Sequence, residues 1–154
     1  MHPSNIRVQQ ALDTAGVTAE VRRLPASTHT AVAASEALGC VVGAIANSLV
    51  FMADDTPLLV MASGAAKVDT ARVADVVSVQ QVRRATPEEV RAATGFPIGG
   101  VAPVGHPSPL QTLIDVDLQQ FPEIWAAGGT PDSIVGFTYV GLVAATGGVP
   151  TRVR

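Results

Sequence analysis

Ser48-Leu49-Val50-Phe51-Met52-Ala53, then Asp54-Asp55-Thr56-Pro57, then Leu58-Leu59-Val60-Met61-Ala62 decide the fold of this chain. Two apolar runs of strand length flank a polar turn, which predicts an antiparallel hairpin. Neither run alternates apolar with polar, so both faces of the hairpin need cover. The flanking segments supply it. Upstream, Val8, Ala11, Leu12 and Ala15 share one side of a helix that starts near Pro3-Ser4 and ends at Gly16. Val21 to Leu24 reads as a short strand closed by Pro25, and Thr30 caps a helix from Ala31 to Leu38 that Gly39 ends. Downstream, Asp69 caps a helix through Val77 with Val73, Val76 and Val77 on one side, and Val79 to Arg83 is a short strand. Thr86-Pro87-Glu88-Glu89 is a capping box with proline in the first turn; Val90 and Ala93 form that helix's apolar side and Gly95 stops it. A turn-rich loop, Gly95 to Pro109, leads to a strand from Leu110 to Val116. Ile124 to Ala127 and Ile134 to Phe137 are strands about a polar turn, and a last helix, Tyr139 to Thr146, ends at Gly147-Gly148. Strands and helices follow no regular alternation. The prediction is an α+β fold over residues 1–154 as a single compact domain, residues 1–20 its N-terminal helix, with a mixed, curved, barrel-like sheet surrounded by short helices.

Composition narrows the function. The 154 residues are 47% hydrophobic and 15% charged, against roughly 25% charged in an average globular chain, which excludes a disordered polymer. Lys+Arg 10 against Asp+Glu 13 leaves a net charge of −3, so no basic coat is present for gripping a nucleic-acid body. Three long uncharged stretches, Ala37 to Ala53, Ala92 to Ile114 and Ser133 to Thr151, are broken by glycine or proline and read as buried strands and loops rather than membrane spans. The start, Met1 to Arg7, lacks the apolar core of a secretory signal, and the expected location is cytoplasmic.

Common catalytic motifs are absent: no GxGxxG, no complete Walker loop around Gly64-Ala65-Ala66-Lys67, no GxSxG. His2, His29 and His106 are too scattered for a metal site, and the single Cys40 reads as a small buried apolar side chain in preference to a nucleophile. Loops remain. Gly99-Gly100-Val101-Ala102-Pro103-Val104-Gly105-His106 is either a main-chain cradle for an ester carbonyl or phosphate, or a structural crossover. Gly128-Gly129-Thr130-Pro131-Asp132-Ser133 is either a polar contact for a substrate or a turn in which Asp132 bonds its own backbone. Arg22-Arg23 and Arg83-Arg84 are candidate phosphate contacts or solvated surface residues.

Thr30 to Gly39, Ile45-Ala46-Asn47-Ser48-Leu49-Val50-Phe51, Lys67-Val68-Asp69, Ala85 to Val90, Thr94 to His106 and Trp125-Ala126-Ala127-Gly128-Gly129 together resemble the YbaK and prolyl-tRNA-synthetase-associated editing domain, in order over nearly the whole chain. The resemblance implies a compact α+β domain that hydrolyses the ester of a mischarged tRNA, a small amino acid such as Cys, Ala or Ser on a proline tRNA, with no metal or organic cofactor. It implies catalytic roles for Asn47, Gly100 and His106, and substrate contacts from Thr30, Ser48, Gly99, Val101, Pro103, Gly105, Gly128, Gly129, Asp132 and Ser133. The implied partners are the aminoacylated 3′-terminal adenosine of the tRNA acceptor end and an aminoacyl-tRNA synthetase. The family usually has lysine where this chain has Asn47, which leaves a non-catalytic aminoacyl-tRNA or nucleotide-binding relative as the alternative.

Overall fold

The computed structural model describes residues 1–24, 30–65 and 67–154; Pro25 and His29 lie outside the described residues. The hairpin organises the larger of two sheets. β2 (Ala46–Ala53) and β3 (Thr56–Ser63) pair antiparallel without a break from Ala46↔Ser63 to Ala53↔Thr56. The turn between them contracts to Asp54-Asp55. Asp54 takes φ 51°, a left-handed conformation that a short polar side chain tolerates.

The five-stranded sheet runs β4-β2-β3-β5-β8. β4 (Val82–Arg84) lies antiparallel to β2, while β5 (Gln111–Asp115) and β8 (Val149–Thr151) extend the other side in parallel. A second, antiparallel sheet holds β1 (Val21–Arg23), β7 (Ser133–Phe137) and β6 (Ile124–Ala127) in the order β1-β7-β6. The α+β class is as expected, but the strands divide between two open sheets instead of closing into one barrel-like sheet. The two meet at an isolated bridge, Ile45↔Trp125.

The strand alternation sorts the apolar residues into layers. Leu59 and Met61 face a main core shared with Ile124, Ala126, Val135 and Phe137 of the smaller sheet. Leu58, Val60 and Ala62 face the opposite way, onto Val73 and Ala74 of α3 (Thr70–Val77). Both faces of the hairpin are therefore covered, as its uninterrupted apolar runs require. α2 (Ala31–Leu38) covers the outer face of the smaller sheet through Ala34, against Trp125 and Ile134. α1 (Pro3–Thr14), α4 (Pro87–Thr94) and α5 (Tyr139–Thr146) close the main core with Val8, Leu12, Val90 and Leu142.

Capping follows the sequence closely. Thr30, Asp69 and Thr86 each accept a backbone N–H in the first turn of their helices, and Glu89 closes the box on Thr86. Gly39, Gly95 and Gly147 end three helices in left-handed geometry. Several local expectations are corrected. Val76 is 48% exposed, because Val73 and Ala74 take the buried positions of α3. The strand expected from Val79 begins at Val82, since Asp54 Oδ1 accepts the Gln81 N–H and holds that segment as a turn. The strand expected to run to Val116 stops at Asp115, whose buried carboxylate accepts from Ser63 N and Asp117 N and starts a 3-10 turn. β8 carries no strand signal in the sequence because Pro150 interrupts it; proline is tolerated there on a sheet edge. No helix among the described residues is long and apolar enough to cross a membrane.

Candidate active site

β4 runs alongside β2 only from Ala53 back to Phe51. The Ala85 N–H still reaches the Val50 carbonyl at 3.1 Å. Peptide groups alternate sides along a strand, so Ser48, like Val50, turns its N–H and C=O away from β3, toward an edge where no strand stands. Across this edge lies β6. The sheets part there and leave a cavity of about 250 Å³. Thr30 and Ala34 of α2, Asn47 and Ser48 of β2, Arg84 of β4, Ile98, Gly99 and Val101 of the long loop, Trp125 of β6 and Ser133 of β7 are on its wall.

The structure thus brings Thr30, Asn47, Ser48, Gly99, Val101 and Ser133 onto one hollow. Asn47 is half-buried, and its side-chain amide makes no hydrogen bond among the described residues. Gly99 sits at φ 86°, and the N–H groups of Gly99 and Val101 donate to no acceptor among the described residues. Thr30 is already engaged as a cap, its Oγ1 accepting the Ala33 N–H at 3.0 Å.

The Gly128-to-Ser133 turn is tied to itself. Gly128 N–H donates to the Ser133 carbonyl at 3.1 Å. Ser133 Oγ accepts from Thr130 N at 3.1 Å and donates to the Thr130 carbonyl at 3.0 Å. Asp132 is ion-paired with Arg23 and accepts the Thr130 hydroxyl at 2.8 Å. The Arg23 guanidinium, then the Thr130 hydroxyl, hold the Asp132 carboxyl below the usual carboxylate range. Gly100 is not a free donor either: its N–H goes to the Pro97 carbonyl at 3.0 Å. A Cβ there would stand 3.0 Å from the Thr130 backbone, so Gly100 lets the two loops pack together. Gly100, Gly128, Gly129 and Asp132 are not on the cavity wall.

Pro103, Gly105 and His106 line a different hollow of about 340 Å³ near Leu110 and Thr112. His106 Nε2 lies 2.8 Å from the Ala102 carbonyl, which only accepts, so the ring presents its N–H there. Burial pushes the His106 imidazole below its ordinary pKa of 6.5, and Phe96 meets it edge-on at 6.2 Å. The placement separates His106 from Asn47. Cys40 packs partly buried beside Ala34, Ile45, Trp125 and Ile134, and burial raises its thiol pKa, in keeping with an apolar filler rather than a nucleophile.

Two features escape motif reading. α1 grips both loops: Asn5 Nδ2 donates to the Gly128 carbonyl at 2.9 Å and to Ser133 Oγ at 3.0 Å, while Arg7 donates to the Gly95 carbonyl at 3.0 Å and lies over the Phe96 ring. The arginine doublets also separate. Arg83 forms a bidentate pair with Glu89, both contacts at 2.9 Å, whereas Arg84 lies over the Phe51 ring and lines the cavity. Glu89 is pulled down to about 2, first by Arg83 and then by the Thr86 N–H. Among the described residues no three of His, Cys, Asp and Glu come together as metal ligands.

The family model for the aminoacyl-tRNA editing domain matches residues 25–145. The chain belongs to that family. It is 32% identical over 120 residues to the uncharacterized protein YwhH of Bacillus subtilis, spanning 77% of this chain and 76% of that one. It is 29% identical over 91 residues to the proline–tRNA ligase of Nitratidesulfovibrio vulgaris strain DP4, covering 59% of this chain and 16% of the ligase. In three dimensions it superposes with a TM-score of 0.94 and 45% identity on the crystal structure of a protein described as a candidate trans-editing enzyme for prolyl tRNA synthetase, covering 100% of this chain and 98% of that one.

Proposed function

We propose that this chain is a trans-acting aminoacyl-tRNA deacylase that hydrolyses the ester of a mischarged tRNA, a small amino acid such as cysteine, alanine or serine on a proline tRNA. The observation that carries the reading is the convergence of uncommitted donors on one small cavity: the Asn47 amide, the outward peptide groups of Ser48, and the N–H groups of Gly99 and Val101. An ester carbonyl held by two such amides gains negative charge as a water or a ribose hydroxyl attacks. Each preorganised donor aimed at that oxygen contributes roughly 10²–10³ in rate. The hollow's size, about 250 Å³, is below the range of sites for drug-sized ligands, roughly 300–1,000 Å³, which suits a small aminoacyl group with part of its ribose. Such a second site is useful because a synthetase pocket separates small side chains only about 10–200-fold.

Following ester loss from Cys-, Ala- and Ser-charged proline tRNA in the presence of the protein tests this. Loss faster than in buffer for at least one is expected, and no acceleration on any of the three retires the reading.

A second reading rests on Asn47 itself, which offers hydrogen bonds but no charge. In that reading the cavity holds the aminoacylated terminus without turnover. Charged tRNA then binds without ester loss, and Asn47→Lys raises the rate by the worth of one charge-assisted bond, about ten- to a hundredfold.

A further inference from the structure

We infer that Arg84 is the anion contact of this cavity and takes the phosphodiester that precedes the terminal adenosine of the bound strand, an assignment that rests on the deacylase reading for the identity of the strand. Arg84 is the one charged side chain on the cavity wall among the described residues. Its neighbour Arg83 is consumed by the bidentate pair with Glu89, and Arg23 by Asp132. Arg22 stands 5.0 Å over Trp125 but is not on the wall. Arg84 has no carboxylate within ion-pair distance among the described residues, in a chain whose net charge is −3.

Its position is also prepared. The guanidinium carbon lies 5.5 Å from the centroid of Phe51, a side chain only 2% exposed. A guanidinium held over a ring keeps its N–H edge for an oxyanion, and the apolar ring beneath weakens solvent screening of the charge. Asn47 stands on the same side of β2 as Phe51, four residues along, since alternate residues share a face. Charge and amide therefore belong to one face of the β2 edge, on a cavity wall that also carries the Gly99 and Val101 donors. A nucleotide terminus whose phosphate meets Arg84 directs its ester inward, toward those donors.

The test compares wild type, Arg84→Gln and Arg84→Lys, each checked for an unchanged melting temperature. Binding is measured by NMR titration with cytidylyl-(3′→5′)-adenosine, adenosine 5′-monophosphate and adenosine. Ester loss is measured on alanyl-tRNA and on 3′-O-alanyl-adenosine, which lacks the phosphate. Wild type is expected to prefer the dinucleotide over adenosine about tenfold or more at low salt. Arg84→Gln abolishes that preference and Arg84→Lys keeps part of it. On alanyl-tRNA, Arg84→Gln loses at least tenfold more kcat/KM than on the phosphate-free ester. A dinucleotide preference that survives Arg84→Gln, equal losses on both esters, or a monophosphate bound far tighter than the dinucleotide would each overturn the assignment. If wild type hydrolyses neither ester yet its dinucleotide preference follows Arg84, the anion contact stands and the deacylase reading falls. If charged tRNA is hydrolysed at a rate that Arg84→Gln leaves unchanged, the deacylase reading stands and the anion contact falls.

Discussion

Asn5→Ala isolates the device that fixes the cavity's rear wall. Asn5 is fully buried in α1, and its Nδ2 faces three acceptors: the Gly128 carbonyl at 2.9 Å, Ser133 Oγ at 3.0 Å and Thr130 Oγ1 at 3.3 Å. One amide nitrogen carries two hydrogens, so the two shorter contacts hold most of the energy. Removing the amide leaves the Gly128 carbonyl without that donor, at a cost of about 1–3 kcal/mol, and removes one of several bonds to Ser133 Oγ, about 1 kcal/mol. Against this, Asn5 Oδ1 is buried without a partner, and its removal returns about 1–2 kcal/mol. At the centre of these ranges the net loss is about 1–2 kcal/mol, a drop of roughly 2–8 °C in melting temperature for a chain of this size. Asn5→Asp is the sharper variant. It keeps the shape but puts an acceptor oxygen where Nδ2 faced the Gly128 carbonyl and two hydroxyl oxygens, and buries a charge there, so it destabilises more than alanine. Urea unfolding of the three proteins, read as midpoint shifts at constant slope, measures the order wild type, Asn5→Ala, Asn5→Asp. An alanine variant within about 0.5 kcal/mol of wild type, the usual range for inconsequential sites, or an aspartate variant as stable as wild type, refutes the clamp.

Gly100→Ala drives a methyl to 3.0 Å from the Thr130 backbone; because neither loop's backbone yields cheaply, a loss of about 1–3 kcal/mol is expected, checked by thermal unfolding, and a neutral result means the loops are not in tight contact. Glu89 titrates near 2 in the folded chain against an ordinary 4.5 because Arg83 and the Thr86 N–H favour its charged form. Its contribution is therefore complete above about pH 4.5 and fades as pH falls through 2, and Glu89→Gln flattens the stability curve over that window. His106 is depressed by burial from 6.5, so the unfolded chain binds its proton first; stability from the neutral ring is present above pH 6.5 and is lost on acidification below it. His106→Gln, which retains a donor for the Ala102 carbonyl, reduces the pH dependence of the unfolding midpoint between pH 7 and 5, and an unchanged slope counts against burial of the neutral ring.

What the sequence makes legible here is whatever short-range chemistry decides. The hairpin is visible because Ser48 to Ala62 offers no charged residue outside its turn, and the helix ends because Thr30, Asp69 and Thr86 cap within three residues of themselves. The cavity is only half visible. Asn47, Ser48, Gly99 and Val101 belong to stretches that local composition marks, but which amides stay free depends on contacts far along the chain. Gly100 looks like a donor until its N–H closes a turn on Pro97, and Ser133 looks like one until Asn5 and Thr130 absorb its hydroxyl. His106 belongs to the same eight-residue run as Gly99, yet the left-handed bend at Gly105 precedes it and it lines the other hollow. Two arginine doublets read alike, and Glu89 breaks the tie: the carboxylate that closes the capping box also captures Arg83, and so leaves Arg84 as the cation facing the cavity. One local helix signal thereby sets the electrostatics of the site. The N-terminal helix has the opposite character. It precedes the family match at residues 25–145, and its polar residues carry no motif, but Asn5 and Arg7 hold the two loops against each other. The wall of the cavity is a tertiary product of residues whose importance no local pattern announces.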